Sequence, residues 1–409
     1  MTIEPAPCEI PPEPAGIQRW LMLLLAAACG LIAANIYYVQ PLTGPISASL
    51  GLPSQAAGLI ATMPQAGYGI GLLLVVPLGD IVENRRLSIA ILCIAALALI
   101  AAAAAAHVST FLAAGLLIGL GSVTVQMLVL YAAHLAHPAA RGRVVGHVTG
   151  GLMLGIMLAR PLAGFITDAM SWRAVFIISA AVMATLAIVL RIALPPRQPA
   201  RGAGYGALIA SMWPLIRRTP ILRRRTFYQT CLFAAFSLFW TTVPLLLADR
   251  FHLSQTGIAL FALAGAASVF AAPIAGRIAD RGQDRPATGL AMLAVAACFL
   301  LSGLDLPTSK AGIAILALAA ILLGAGVTGH AVLGQRAIFS LDANLRGRLN
   351  GLFMATYFAG GAAGSVAGTW SYAHGGWALL SWTGLALPLL ALAGYCTERQ
   401  PAPASAGKA

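Results

Sequence analysis

Charged residues are scarce in this chain of 409 residues: they make up only 9% of it, whereas hydrophobic residues make up 59%. A soluble globular domain carries roughly 25% charged residues, which cover its water-facing surface. A chain with so few charges cannot cover such a surface, so lipid must surround most of it. This composition excludes a cytosolic enzyme and a secreted disulfide scaffold.

Residue patterns that would hold a cofactor are missing as well. The six cysteines are scattered and form no C-x-x-C pair, which argues against a zinc or redox centre. Lysine is nearly absent, with only Lys310 and Lys408, and no phosphate-binding loop G-x-x-x-x-G-K-[ST] occurs, so nucleotide hydrolysis is unsupported. No pair of acids lies within an apolar run, and the seven histidines are dispersed. We therefore predict that the protein is not an enzyme and has no cofactor, metal site or catalytic residue.

What the sequence does contain is a series of long apolar runs. A membrane-spanning helix needs about 20 mostly apolar residues to cross roughly 30 Å of hydrocarbon. Only helices fit here, because they satisfy every backbone group internally and the alternating pattern of barrel strands is missing. Twelve runs meet this requirement, at 20–40, 56–78, 87–106, 110–133, 144–166, 174–192, 227–247, 257–278, 287–304, 311–333, 349–370 and 377–395.

Basic residues cluster on one side of these runs and predict the orientation of the chain. The sequence has 25 basic residues against 12 acidic ones, and most arginines fall in segments on the same side as the N-terminus. Because cytoplasmic loops carry the excess of Lys and Arg, we expect both termini in the cytoplasm. The basic excess is then a topology signal, and we expect no nucleic-acid partner. Residues 1–18 are predicted to be a disordered cytoplasmic tail, and residues 397–409 a second cytoplasmic tail.

An internal repeat divides the chain into two similar halves. Arg141-Gly142-Arg143 precedes the fifth run and Arg346-Gly347-Arg348 precedes the eleventh, while Asp80 corresponds to Asp280. Parallel repeats of this kind are typical of one large class of membrane transporters. We predict an all-α membrane protein with twelve transmembrane helices in two pseudo-symmetric six-helix bundles. The predicted bundles are 19–192 and 227–396, and an Arg-rich cytoplasmic linker at 193–226 joins them.

Two motifs stand out: Asp80 with the arginine pair that follows it in the loop 77–86, and the glycine ladder that ends at Pro161 and Gly164 in the fifth run. They resemble motifs of the major facilitator superfamily, in particular its drug:proton antiporter branch. The loop 77–86 resembles the family signature G-x-x-x-D-R-x-G-R-R in Asp80 and its paired arginines, and the second-half copy at 276–285 is closer. The fifth run resembles the antiporter motif, a glycine ladder ending in G-P-x-x-G, with Arg160 in place of the glycine before Pro161. The resemblance covers essentially the whole chain. It implies the fold predicted above and a location in the bacterial inner membrane.

The resemblance also implies roles for charged loop residues and for small residues in the spans. The aspartates would accept hydrogen bonds from a helix N-terminus or pair with nearby arginines, as a latch between the halves on the cytoplasmic side. The gating candidates are Asp80, Arg85, Arg86, Asp280, Arg281 and Arg285. Glycines four residues apart let helices approach closely, which suits either halves that rock past each other or static packing. The helix-packing candidates are Gly151, Gly155, Pro161, Gly164, Gly360, Gly364 and Gly368.

Arg160 is a charged residue deep inside an apolar run. It lies about 17 residues into the fifth run, and arginine in hydrocarbon costs at least about 2.5 kcal/mol, so it should face a cavity or a partner. No Asp or Glu lies in the interior of any run to neutralise it. Two roles stay open: contact with a substrate or anion, or a structural role in which Arg160 caps carbonyls freed by Pro161 or reaches towards Asp168.

Polar and aromatic side chains in the other runs are candidates for a central cavity. The superfamily builds its cavity from eight of its helices, and these residues fall on that set. Such groups in an apolar cavity suit a partly hydrophobic organic molecule, although each could instead bond to a neighbouring helix. His330 could titrate near neutral pH or simply pack between helices. The cavity candidates are Asn35, Tyr38, Gln65, Gln126, Arg160, Ser237, Trp240, Thr241, His330 and Tyr357.

These features predict a secondary active transporter that moves a small organic molecule by alternating access. The leading hypothesis is efflux by a monomer in the lipid bilayer, coupled to protons. Proton coupling usually needs a titrating group in the membrane, and the first run contains no carboxylate. The alternative is an uptake carrier or facilitator for an organic anion, with Arg160 as its counter-charge.

Overall fold

The computed structural model describes residues 18–137, 140–196, 198, 204–305, 307–341 and 345–398. Those residues form helices, turns and loops, and no strand occurs among them. Nearly all of the two predicted tails and part of the predicted linker lie outside these ranges.

The described part of the first half contains eight helices, seven of which form six spans. α5 and α6 are separated only by Val123 and together form the fourth span. α2 is a short helix in the connection between the first two spans, where no helix was predicted. The helices are α1 (Arg19–Tyr37), α2 (Thr43–Leu50), α3 (Gly58–Leu74), α4 (Asn84–Ala103), α5 (Val108–Ser122), α6 (Thr124–Leu135), α7 (Arg141–Ala169) and α8 (Trp172–Ala193).

A linker helix and six further spans form the rest of the described residues. α9 lies in the predicted linker and is amphipathic: Leu208 and Met212 are buried, whereas Trp213 is exposed. The next helix begins at Pro220 rather than at 227, because proline fits the first helical position, where no intrahelical N–H bond is lost. The helices are α9 (Tyr205–Arg218), α10 (Pro220–Asp249), α11 (Gln255–Ala266), α12 (Ala271–Asp280), α13 (Asp284–Ser302), α14 (Lys310–Phe339) and α15 (Arg346–Cys396).

The described helices account for the twelve predicted spans. Ten helical stretches among the described residues are long and apolar enough to cross a membrane, and one of these stretches consists of α5 and α6 together. α11 and α12, joined by a short 3-10 turn, form the eighth span. α15 is broken at Gly375 and Gly376, where Gly376 has a φ of 60° that favours glycine, so this helix supplies both the eleventh and the twelfth spans. The prediction of an all-α protein with twelve spans is confirmed.

The two halves pack around separate apolar cores and meet along two helix pairs. One core is built from residues of α1 to α8, and the other mainly from residues of α10 to α15. Between the halves, α3 packs against α15 and α7 packs against α11. These two seams border the centre of the molecule.

The two seams differ at the two ends of the molecule: both are closed at one end, whereas at the other the halves part beside α7 and stay in contact between α3 and α15. We call the end that carries α9 the linker face and the opposite end the distal face. Near the distal face, the Gly58 N–H donates to Thr369 Oγ1 at 3.1 Å, and Thr256 Oγ1 donates to Asp168 at 2.5 Å. At the linker-face end of α7, the space beside Gly146 holds no atom within 4 Å of an added Cβ. The described structure is therefore closed at the distal face and parted beside α7 at the linker face.

The glycine ladders pack helices within each half rather than between the halves. A Cβ on Gly155 would lie 2.2 Å from the carbonyl oxygen of Gly30 in α1, and one on Gly364 would lie 2.1 Å from that of Ala234 in α10. Gly164 is an exception, because it faces Ala259 of the other half. The expectation that the ladders let the halves rock past each other is corrected: most of these glycines make each half a tight unit.

Candidate functional site

A cavity of about 160 Å³ lies at the centre of the molecule, between the halves. One wall comes from α1 and α7, and the other from α10, α14, α15 and the turn after α11. The α7 residues recur at helical spacing, at Met153, Ile156, Met157 and Arg160, so they share one face of the helix. The α10 residues do the same at Gln229, Phe233, Phe236 and Trp240. Two helical stripes therefore face each other across the cavity.

Arg160 lies at one end of this cavity and is 6% exposed. Its Nε donates to the Oε1 of Gln40 at 2.7 Å. Its Cζ lies 4.5 Å from the ring centre of Trp240, 5.1 Å from that of Tyr37 and 5.4 Å from that of Phe236. Aromatic faces carry partial negative charge, so this ring cage stabilises the guanidinium away from water.

Neither structural alternative for Arg160 is the arrangement observed. Its hydrogen-bond partner is the Gln40 side chain and not a carbonyl freed by Pro161. Asp168 accepts instead from Thr256 of the other half. Arg160 is thus held by a neutral amide and by rings.

Two hydrogen-bond donors at this end of the cavity have no partner among the described residues. They are the Nη2 of Arg160 and the Nε1 of Trp240, and both atoms are buried. No Asp or Glu is among the described residues that line the cavity. A buried donor without a partner costs free energy, and an arginine fork binds carboxylate or phosphate oxygens well. This end of the cavity is therefore suited to an anionic group.

Aromatic rings form the middle of the cavity. Phe233 and Phe236 stack with their centroids 5.6 Å apart, and Tyr357 meets Phe233 edge-on at 4.9 Å. Met153 and Met157 lie on the facing stripe. Methionine side chains are flexible and polarizable, so this wall can adapt to apolar groups of different shapes.

A second polar group lines the cavity at Gln229. Its Oε1 accepts from the Nδ1 of His330 at 2.6 Å, and its Nε2 donates to the carbonyl of Val327 at 3.5 Å. His330 itself is completely buried and is not among the lining residues.

Three of the ten predicted cavity residues line this cavity: Arg160, Trp240 and Tyr357. Asn35 donates instead to Met183, and Gln126 donates to Tyr68, both within the first half. Tyr38 packs against both apolar cores.

Gln65, Ser237 and Thr241 belong to a polar network between the halves rather than to the cavity lining. Gln65 Nε2 donates to Ser365 Oγ at 3.3 Å, and Ser237 Oγ donates to Gln65 Oε1 at 3.1 Å. Thr241 donates to Ser365 at 3.0 Å, and Thr62 donates to the Ala362 carbonyl at 2.9 Å. The network joins α3 to α10 and α15 and closes the distal side of the seam.

The charged gating candidates lie at the linker face, but their partners differ from the expected ones. Arg85 and Arg86 approach Glu83, at 3.8 Å and 3.1 Å, rather than Asp80, which is exposed. Asp280 pairs with Arg336 at 2.5 Å. Each of these pairs stays within one half, so none of them joins the two halves.

The other two gating candidates also stay within the second half. The Nη2 of Arg285 donates to the carbonyl of Glu398 at 3.1 Å. Arg281 is exposed. The side chain of Arg141, which precedes the fifth span, lies outside the described part of the structure.

Two parallel six-helix halves around a central cavity define a membrane transporter. Comparison with known proteins identifies its family: the model of the Major Facilitator Superfamily matches residues 23–328 and 229–409, and the chain belongs to that superfamily. It is 37% identical to the uncharacterized transporter YgaY of Escherichia coli over 91% of this chain and 94% of that one. A transporter of Streptomyces coelicolor is 33% identical over 91% of this chain and 89% of its own.

A solved structure shares the fold. The crystal structure of the nucleoside transporter NupG matches with a TM-score of 0.74 at 13% identity, over 92% of this chain and 99% of that one. At this identity the match concerns the fold alone.

Proposed function

We propose that this transporter carries small organic anions with an apolar or aromatic body out of the cell by alternating access. The observation that carries the proposal is the pair of unpartnered buried donors, Arg160 Nη2 and Trp240 Nε1, at the wall of a cavity whose described lining has no carboxylate. An anionic group would satisfy both donors, and the aromatic middle of the cavity would bind the body of the substrate.

We propose that the linker face lies in the cytoplasm. The arginine-rich segments lie at this face, including Arg85, Arg86 and Arg336, and cytoplasmic segments carry the excess of basic residues. The described conformation, parted beside α7 at the linker face, is then the one that takes up substrate from the cytoplasm. Opening of the distal seam would release it on the other side.

Export follows from the charge of the proposed substrate. When a single negative charge leaves a cell with a negative interior, its electrical free energy falls by about 2.3 kcal/mol for each 100 mV of membrane potential. The described lining offers no Asp or Glu that could carry a proton during the cycle. We therefore propose that the membrane potential drives export. The competing mechanism is proton-coupled efflux, and the transport experiment below distinguishes the two.

The binding step is tested with phenylacetate and its uncharged amide, phenylacetamide. We expect phenylacetate to raise the apparent melting temperature of the purified protein and phenylacetamide to have little effect. Arg160→Gln should abolish the difference. Arg173→Gln is the matched control, because Arg173 also lies over a tryptophan, 4.2 Å from the Trp172 ring, but at a half-buried position outside the cavity. Equal protection of wild type and Arg160→Gln by phenylacetate would refute the proposal.

The transport step is tested with everted membrane vesicles, in which export appears as uptake into the vesicle. A potassium gradient with valinomycin creates a positive interior without a pH gradient, and we expect it to drive uptake of labelled phenylacetate. Uptake that requires a pH gradient and ignores the potential would instead favour proton coupling. Uptake in neither condition, together with entry into right-side-out vesicles, would favour an uptake carrier.

A further inference from the structure

The cavity has a second polar end, distant from Arg160. Gln229 and Trp240 both line it and lie on the same face of α10. They are eleven positions apart in the sequence, which corresponds to about 16 Å along the helix axis. Since Trp240 lies beside Arg160, Gln229 marks the opposite end of an elongated site.

Gln229 is held in one orientation by its neighbours. Its Nε2 donates to the carbonyl of Val327 at 3.5 Å, which directs the Oε1 towards the Nδ1 of His330, 2.6 Å away. An amide oxygen only accepts, so the Nδ1 of His330 must carry the proton that joins them. Because both side chains are almost completely buried, water is kept from this contact.

This orientation leaves one donor of Gln229 for a ligand. A side-chain amide has two N–H groups, and only one is needed for the long bond to Val327. No arginine, lysine, aspartate or glutamate other than Arg160 is among the described lining residues, so a charged group has its counter-charge only at the other end. The Gln229 end is suited to an uncharged acceptor such as a carbonyl, ether or hydroxyl oxygen.

We propose that Gln229 binds an uncharged hydrogen-bond acceptor at the end of the substrate opposite its anionic group, and that His330 is the positioning residue that orients Gln229. This inference rests on the proposed function and narrows its substrate class. The substrate is then an elongated organic anion with an apolar middle and a neutral polar far end, and selectivity among anions is set at Gln229.

The test uses two biphenyl carboxylates that differ in one group. One carries an acetyl group at the far end of the second ring, and the other carries an isopropenyl group of nearly the same shape that cannot accept a hydrogen bond. Wild type should bind the acetyl probe about three- to ten-fold more tightly, as expected for one neutral hydrogen bond in a buried site. Equal affinities in wild type would overturn the inference.

Variants then assign the preference to the two residues. Gln229→Leu and His330→Phe should bind the isopropenyl probe as wild type does and lose the preference for acetyl. His330→Asn should restore it, because the asparagine N–H can take the place of the Nδ1 proton while the ring is gone. A preference that survives in Gln229→Leu or His330→Phe would contradict the assignment.

The outcomes separate this inference from the function on which it rests. If wild type binds neither carboxylate, the proposed anion site itself is wrong. If it binds both equally, the anion site stands and the role of Gln229 fails. A variant that does not fold would lose binding to both probes and its monodisperse elution peak. In that case the wild-type comparison and the remaining variants still decide whether Gln229 sets the preference for acetyl.

Discussion

Arg160 donates from its Nε to the Oε1 of Gln40 at 2.7 Å, and this contact fixes the guanidinium at the end of the central cavity. Gln40 comes from the connection after the first span, whereas Arg160 lies in the fifth. Because the partner is a neutral amide, the positive charge of Arg160 is not cancelled. Of the two other guanidinium nitrogens, Nη2 is buried without a partner among the described residues and is therefore available to a ligand.

Replacing this amide by a carboxylate should block the site. In Gln40→Glu, an internal ion pair would compete with the substrate for Arg160, because a carboxylate can bind the guanidinium through two parallel hydrogen bonds. We expect binding of phenylacetate to weaken at least about ten-fold, or about 1.4 kcal/mol. Isothermal titration of the purified protein measures this change.

The matched control for this substitution adds the same charge elsewhere. Gln55 is exposed near the distal face and does not line the cavity, so Gln55→Glu should leave the affinity unchanged. Unaltered phenylacetate binding by Gln40→Glu would show that Arg160 does not hold the anion.

The seam between α3 and α15 predicts a shift in conformation when its polar network is broken. Gln65→Leu removes bonds to Ser365 and Ser237 and leaves both hydroxyls buried in the closed seam. In a distal-open state water would reach these groups, so the substitution destabilises only the closed state. With about 1 kcal/mol for each neutral hydrogen bond, we expect a shift of roughly ten-fold or more towards distal-open molecules.

Spin labels on the distal face report this shift. Met170→Cys and Thr308→Cys place one exposed label in each half, in a variant whose native cysteines are replaced. Gln65→Leu should increase the population of long distances between the labels. Gln126→Leu is the control, because Gln126 bonds to Tyr68 within the first half. Identical distance distributions in wild type and Gln65→Leu would mean that this network does not close the seam.

The proposed orientation predicts which positions a membrane-impermeant maleimide reaches in intact cells. Thr308 lies at the distal face and Ser340 at the linker face, and both are exposed. In a cysteine-free background, Thr308→Cys should react in intact cells, whereas Ser340→Cys should react only after lysis. The reverse pattern would place the linker face outside the cell and reverse the proposed direction of entry.

The spans and their repeat could be predicted because membrane insertion depends on apolar length, which is local in the sequence. The break at Gly376 is predicted on the same basis, because the apolar runs 349–370 and 377–395 are separated by a short segment that contains two glycines. The burial of Arg160 in a cavity also followed from local physics, since an unpaired charge cannot face hydrocarbon.

The identity of the cavity lining depends on which faces of distant helices meet, and so most of it was missed. Gln65 and Ser237 are as polar as Gln229, yet they bond across the α3 seam while Gln229 faces the cavity. The spacing of Gln229, Phe233, Phe236 and Trp240 on one helical face was a usable signal. Nothing local in the sequence connects Gln40 to Arg160, because their contact forms only when the first half folds.

The tight packing within the first half predicts opposite effects for two glycines of the same helix. In Gly155→Ala, the new methyl group would lie 2.2 Å from the backbone oxygen of Gly30, so α1 and α7 must move apart. Overpacking of this kind costs about 1–3 kcal/mol. In Gly146→Ala, no atom lies within 4 Å of the new group, and alanine is the better helix former by about 1 kcal/mol.

Thermal unfolding in detergent compares the two variants. We expect a lower apparent melting temperature for Gly155→Ala and an unchanged or higher one for Gly146→Ala, since only the first opposes the contact between α1 and α7. Separation of α1 and α7 in Gly155→Ala should also weaken phenylacetate binding, because α1 carries Tyr37 and α7 carries Arg160 on the cavity wall. If Gly155→Ala were as stable as wild type, the close approach of the two helices would not be needed to hold the cavity wall together.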